Sequence, residues 1–109
     1  MEYAGEVDAV GPGSTMWPVG SRVMGIVGGG AHAELLCVQE REVLPLPRAL
    51  SFDEGAAIPE VFLTAYDALY RQLDVGIGER VLVHAIGSGV GTAALQLAGI
   101  GGATVYGSS

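Results

Sequence analysis

A short apolar run, a glycine-rich turn and an amphipathic segment follow one another in Arg80-Val81-Leu82-Val83-His84-Ala85-Ile86-Gly87-Ser88-Gly89-Val90-Gly91-Thr92-Ala93-Ala94-Leu95-Gln96-Leu97-Ala98. No other stretch restricts the fold as much. Val81, Leu82 and Val83 read as a strand buried on both faces. Gly87, Gly89 and Gly91 permit a tight turn and the close approach of a ligand. Val90, Ala93, Ala94, Leu97 and Ala98 recur at helical spacing. A strand that feeds a helix through such a turn directs free N–H groups and the positive end of the helix dipole at one spot, and that spot suits a phosphate.

A GxGxxG motif beginning at Gly87 requires glycine at position 92, where Thr92 stands. The pattern present is Ala85-x-x-Ser88-x-x-Gly91 with Gly89 inside it. Taken alone it fits either a dinucleotide site or a strand–turn–helix that binds nothing. A P-loop needs a lysine after its glycines, and the chain has no lysine.

At 109 residues the chain can bury one small core but not two full domains. Its 18 glycines imply many tight turns. Twelve acidic residues against five basic ones give a net charge of −7. That leaves no basic stripe for nucleic acid and disfavours anionic membranes. No apolar stretch reaches the ~18 residues of a membrane span. One cysteine, Cys37, excludes an internal disulfide and a multi-cysteine zinc knuckle. A cytoplasmic protein is expected. Both ends run in strand patterns, so the chain is expected to be a fragment of a longer one.

Taken in order, residues 2–10 alternate as a strand, with Gly5 as a bulge. Turns at Gly11–Ser14 and Trp17–Ser21 lead to a strand over Arg22–Val27. After Gly28-Gly29-Gly30, Ala31–Gln39 returns as another strand with Ala33, Leu35 and Cys37 on one face. Leu44-Pro45-Leu46-Pro47 is extended and carries the chain out of this β-rich part. Ser51-Phe52-Asp53-Glu54 has the form of a capping box, and Pro59 opens a second helix as a first-turn proline. Phe62, Ala65, Tyr66, Leu69, Tyr70 and Leu73 follow a 3.6 period, predicting a helix to about Leu73. The strand from Arg80, the glycine turn, a helix to about Gly99 and a strand at Thr104–Tyr106 complete a βαβ unit.

Several stretches together resemble the medium-chain dehydrogenase/reductases, specifically the zinc-free, zeta-crystallin-like quinone oxidoreductases. They are Glu2–Val7 with Val10–Gly13, Val19–Val23, Ala56–Pro59 with Leu63–Tyr66, and Val81–Ala98. The resemblance implies an α/β fold, with a β-rich GroES-like part followed by the first βαβ unit of a Rossmann domain, a doubly wound parallel sheet. Residues 1–50 would be the C-terminal half of the GroES-like catalytic domain. Residues 51–109 would be the linking helices and the start of the NADP-binding domain. The implied activity is NADPH-dependent reduction of a small-molecule quinone or enone by hydride transfer, by a homodimer when intact. The catalytic residues fall outside the segment, which alone would be inactive. The alternatives are a truncated, non-catalytic nucleotide-binding module and a relative of the zinc alcohol dehydrogenases. Those zinc enzymes place a histidine before the glutamate that Glu2 matches, and Met1 stands there. They also carry a cysteine just before the first Rossmann strand, which is absent here. No catalytic zinc is therefore expected, and Cys37 reads as a small buried hydrophobe.

The cofactor is NADP(H) in this reading. Ser88, Gly89 and Val90 would meet its pyrophosphate and adjoining ribose through their backbone N–H groups, and Gly91 would allow close helix–strand packing there. Thr64 resembles the family threonine facing the nicotinamide; it could bond the carboxamide, or bond back to a helix carbonyl. Ser108 and Ser109 stand where NAD-specific proteins carry an Asp or Glu, so they favour a 2′-phosphate. His84 reads as a strand-end residue bonded to backbone rather than a base, Glu2 as structural, and the Phe62, Tyr66 and Tyr70 stripe as core.

Overall fold

The computed structural model describes residues 1–109, which divide into two compact units, Met1–Glu60 and Val61–Ser109.

The first unit is built on a three-stranded antiparallel sheet in the order β1 (Glu2–Glu6), β2 (Arg22–Ile26), β3 (Val43–Pro45). Glu2 pairs with Ile26 and Glu6 with Arg22, while Val23 pairs with Pro45 and Gly25 with Val43. Val23, Met24, Val43 and Leu46 are its buried apolar residues. Tyr3 lies opposite Gly25, and its ring fills the space a Cβ at Gly25 would need. The first strand stops at Glu6, short of the alternation that runs on to Val10.

The stretch expected to return as a strand, Ala31–Gln39, forms none. The free edge of β2 is taken by Val43–Pro45 instead, so the 31–39 segment has no ladder to join. Leu35 is 76% exposed and Cys37 is also exposed, which corrects the reading of Cys37 as a buried hydrophobe. The proline segment is extended as expected, but Val43–Pro45 lies within the sheet rather than beyond it.

Glu40 organises the loop between β1 and β2. Its Oε2 accepts from Ser14 Oγ at 2.7 Å and from the N–H groups of Thr15 and Met16 at 2.9 and 3.0 Å. Its carbonyl accepts from Trp17 Nε1 at 2.8 Å. The bonds to the carboxylate, led by that from Ser14, hold the Glu40 carboxyl below the usual carboxylate range. Arg22 fastens the chain after β3, donating to the Leu50 carbonyl at 2.6 Å, with its guanidinium 4.7 Å from the Phe52 ring centroid.

Helix α1 (Phe52–Ala56) begins at the anticipated capping box. Glu54 N–H donates to Ser51 Oγ at 3.2 Å and Ser51 N–H to Glu54 Oε2 at 2.8 Å. Helix α2 (Pro59–Tyr66) begins at Pro59, fully buried. Glu2 Oε1 accepts from Glu60 N–H at 2.9 Å, so Glu2 caps this helix start, a structural task.

In the second unit the helix continues past Tyr66 as a π-helical stretch over Asp67–Gln72. The wider turn rotates later residues away from the 3.6 stripe. Ala65 and Leu69 stay buried, but Tyr66 is half exposed and Leu73 is 67% exposed. Tyr70 remains half-buried and donates to the Leu97 carbonyl. Strands β4 (Arg80–His84) and β5 (Thr104–Ser108) pair in parallel, joined by α3 (Gly89–Ile100), the βαβ unit anticipated. Its core joins Ala65 and Leu69 to Ala93, Ala94 and Ala98, flanked by Val81, Val83 and Val105. Leu82 is 59% exposed, contrary to a strand covered on both faces. Within this unit Val81 and Val83 pack on the core, while Arg80, Leu82 and His84 point to the opposite, open face.

Candidate functional site: the turn between β4 and α3

The β4–α3 connection is a tight turn. Ala85 adopts φ 52°, a left-handed conformation that a residue with a Cβ takes only under constraint. Ser88 N–H closes the turn on the Ala85 carbonyl at 2.9 Å. Ile86 N–H reaches across to the Ser108 carbonyl at 3.1 Å, tying the turn to the end of β5.

Ser88 then caps α3. Its Oγ accepts from Gly91 N–H at 3.0 Å, and its carbonyl accepts from Thr92 N–H at 2.8 Å. These two bonds leave the N–H groups of Gly89 and Val90 as the free donors of the first turn. No acidic residue lies in that turn to offset the dipole. The sequence expectation is therefore corrected at Ser88. Its N–H is used by Ala85, and what it can offer a ligand is its hydroxyl proton.

Gly91 is buried, and a Cβ there would lie 2.5 Å from the Ala85 carbonyl oxygen and 2.7 Å from that of Ile86. Its need for glycine is one of packing between helix and turn. A Cβ at Gly89 would meet only Val61 Cγ1, at 3.0 Å. Thus the first residue of the second unit abuts the turn, and Thr64 lies one helical turn further along α2. Thr64 is exposed, and the bond back to a helix carbonyl is not formed.

Ser108 is half-buried beside the turn, and Ser109 is exposed. His84 bonds a side chain rather than the backbone expected of it: its Nδ1 lies 2.8 Å from Ser108 Oγ. The parallel register explains this, since His84 is the direct partner of Ser108. Sequence reasoning misses this pair because register between two strands is not written in either strand alone. The chain thus brings Ser88, Gly89, Val90, Gly91 and Ser108 to one end of the β4–β5 pair.

Residues 1–48 match the family model of the alcohol dehydrogenase GroES-like domain. The chain is 46% identical over 108 residues to the pikromycin polyketide synthase component PikAII of Streptomyces venezuelae, covering 99% of this chain and 3% of that protein. It is 38% identical over 109 residues to the synaptic vesicle membrane protein VAT-1 homolog-like of Homo sapiens, covering 99% of this chain and 26% of that one. Among solved structures it resembles the CurK enoyl reductase, with a TM-score of 0.94 and 36% identity over 99% of this chain and 32% of that one. A quinone oxidoreductase of Pseudomonas syringae pv. Tomato DC3000 gives a TM-score of 0.85 and 39% identity over 97% and 33%. Mycobacterial Rv1454c, solved with NADPH, gives 0.88 and 34% over 97% and 34%. The family model thus marks the β-rich part as GroES-like, and the mixed α/β fold of the chain recurs in the solved structures. The chain spans about a third of the length of these solved structures and about a quarter or less of the curated relatives.

Proposed function

We propose that this chain is the segment of an NADPH-dependent oxidoreductase that binds the pyrophosphate and ribose of its cofactor. The observation that carries this reading is the start of α3. There the Gly89 and Val90 N–H groups stand free and the Ser88 hydroxyl proton is available, with no carboxylate in the first turn. A diphosphate accepts hydrogen bonds and carries negative charge, so donors and dipole both favour it. Open space above Gly87 leaves room for it. Ser108 and Ser109 fit a 2′-phosphate better than the carboxylate of NAD-specific sites would. The similarity to a structure solved with NADPH supports the same cofactor.

The bound nicotinamide would supply a hydride to an electron-poor carbon. This chain's own share is to hold the dinucleotide in place and to set which ribose it accepts. Substrates of the quinone and enone class fit the relatives named quinone oxidoreductase and enoyl reductase. Among enones, an α,β-unsaturated thioester is favoured by the polyketide synthase relative and the enoyl reductase neighbour. The test is NADPH oxidation by the full-length protein with a quinone, a 2-enoyl thioester or no acceptor. Consumption that requires one of the two acceptors is expected. Alcohol oxidation dependent on stoichiometric zinc, with neither acceptor reduced, would overturn the assignment.

A further inference from the structure

We infer that Tyr70 is a positioning residue for the nucleotide: from the π-helical stretch it holds the far end of α3, and so keeps the Gly89 and Val90 N–H groups at the helix start aligned with the pyrophosphate. This rests on the dinucleotide reading above. The fully buried residues of α3 are Gly91, Ala93, Ala94 and Ala98. Such small residues let the helix lie close to its neighbours but raise no ridges that would resist sliding. Directional ties must then fix it. At the start they are the Ser88 cap and the packing of Gly91 on the turn. At the other end the Tyr70 hydroxyl donates to the Leu97 carbonyl. Tyr70 is the only side chain beyond α3 and its cap that hydrogen-bonds this helix.

The bond is not one the backbone requires. The Leu97 carbonyl already accepts from Gly101 N–H at 2.9 Å, so no orphan acceptor calls for Tyr70. Gly101 has φ −71°, open to any L residue, and the φ that favours glycine falls on Gly102, at 79°. What Gly101 provides is space, since a Cβ there would lie 2.5 Å from the Tyr70 hydroxyl oxygen. Tyr70 projects from the wide winding of Asp67–Gln72, closed by the Leu73 N–H on the Ala68 carbonyl at 3.1 Å. Its neighbour Leu69 is buried in the same core as the α3 alanines. Residues 89 and 97 are about 12 Å apart along a stiff helix, so a tilt or slide released at Leu97 is carried to the donors.

The test compares the full-length protein as wild type, Tyr70→Phe, Gly101→Ala and the double variant. Calorimetric titration with NADPH reads the site, and amide hydrogen exchange without nucleotide reads the helix start. Tyr70→Phe removes the hydroxyl and Gly101→Ala displaces it, so each should weaken NADPH binding about three- to tenfold. The double variant should bind as well as either single one. Both changes lose the same bond, and without the hydroxyl the new Cβ has no contact closer than 3.4 Å. The Gly91 and Thr92 amides, which Ser88 holds, should exchange faster in both single variants. A role in stability alone moves neither reading. Affinity is unchanged while the folded fraction stays near one, and first-turn amides exchange by local opening. Wild-type affinity or unchanged exchange in Tyr70→Phe, or single losses that multiply in the double variant, overturns this inference alone. Failure of wild type to bind NADPH overturns the dinucleotide reading and this inference with it.

Discussion

Gly91→Ala sets helix propensity against packing, and the two give opposite signs. In a helix interior, alanine is better than glycine by about 1 kcal/mol. Propensity alone therefore expects a more stable protein. The geometry opposes this. A Cβ at position 91 would stand 2.5 Å from one backbone oxygen and 2.7 Å from another, where real Cβ atoms essentially never come within 3.0 Å. The shortfall is at least 0.5 Å, and neither obstacle is a flexible side chain. Relief requires α3 to move from its turn. That loosens the Gly91–Ser88 cap, worth about 1 kcal/mol, and shifts Ala93, Ala94 and Ala98 in the core, an overpacking cost of about 1–3 kcal/mol. The net expectation is a loss of about 1–3 kcal/mol. Gly99→Ala in the same helix is the control. Its Cβ would meet nothing within 4 Å, so a gain of about 0.5–1 kcal/mol is expected. Urea unfolding followed by circular dichroism measures both. A Gly91→Ala protein as stable as wild type, alongside a stabilised Gly99→Ala, would refute the packing argument.

Tyr3 carries a buried hydroxyl with no hydrogen-bond partner, and burial, then the Glu42 charge, raises its pKa. Tyr3→Phe should stabilise the protein by about 1 kcal/mol, read by thermal unfolding. Ser51→Ala removes the α1 cap and should cost about 1 kcal/mol in the same assay. Glu40 and Glu54 both have lowered carboxyl pKa values, Glu40 chiefly through Ser14 and Glu54 through the Ser51 backbone N–H. A depressed folded-state pKa gives stability that is present above the unfolded value, about 4.3 for Glu, and lost as pH falls through the folded one. Stability should thus drop on acidification below about pH 4.3, and Glu40→Gln should flatten that drop in unfolding curves taken at successive pH values.

The parts of the fold that are legible in sequence rest on local chemistry. Ser51 and Glu54 form their capping box, Pro59 opens its helix, and the glycine turn joins β4 to α3 where the residues suggest. The illegible parts depend on partners distant in sequence. Ala31–Gln39 has strand-like alternation, yet β3 occupies the edge it would need. A π-helical stretch cannot be seen in a 3.6 periodicity, so that period assigns Leu73 to the core although it lies exposed. Leu82 looks like a doubly buried strand residue because its neighbours are apolar; within residues 61–109 one face of the β4–β5 pair is covered and Leu82 lies on the other. At the site, the glycines and Ser88 can be found from their spacing. The Ala85 backbone and the His84–Ser108 pair cannot, since both follow from how the strands align.

The central claim is that the α3 start holds a dinucleotide pyrophosphate. Calorimetric titration of NADPH into wild type, Gly89→Asp and Gly89→Ala tests it most directly. A Cβ at Gly89 meets only the end of the Val61 side chain, so both variants should keep the fold. Wild type is expected to bind NADPH, Gly89→Ala to bind it within a few-fold, and Gly89→Asp to lose at least about tenfold, because its carboxylate would sit against the phosphates. Absence of binding by wild type, or wild-type affinity in the Gly89→Asp variant, would contradict it.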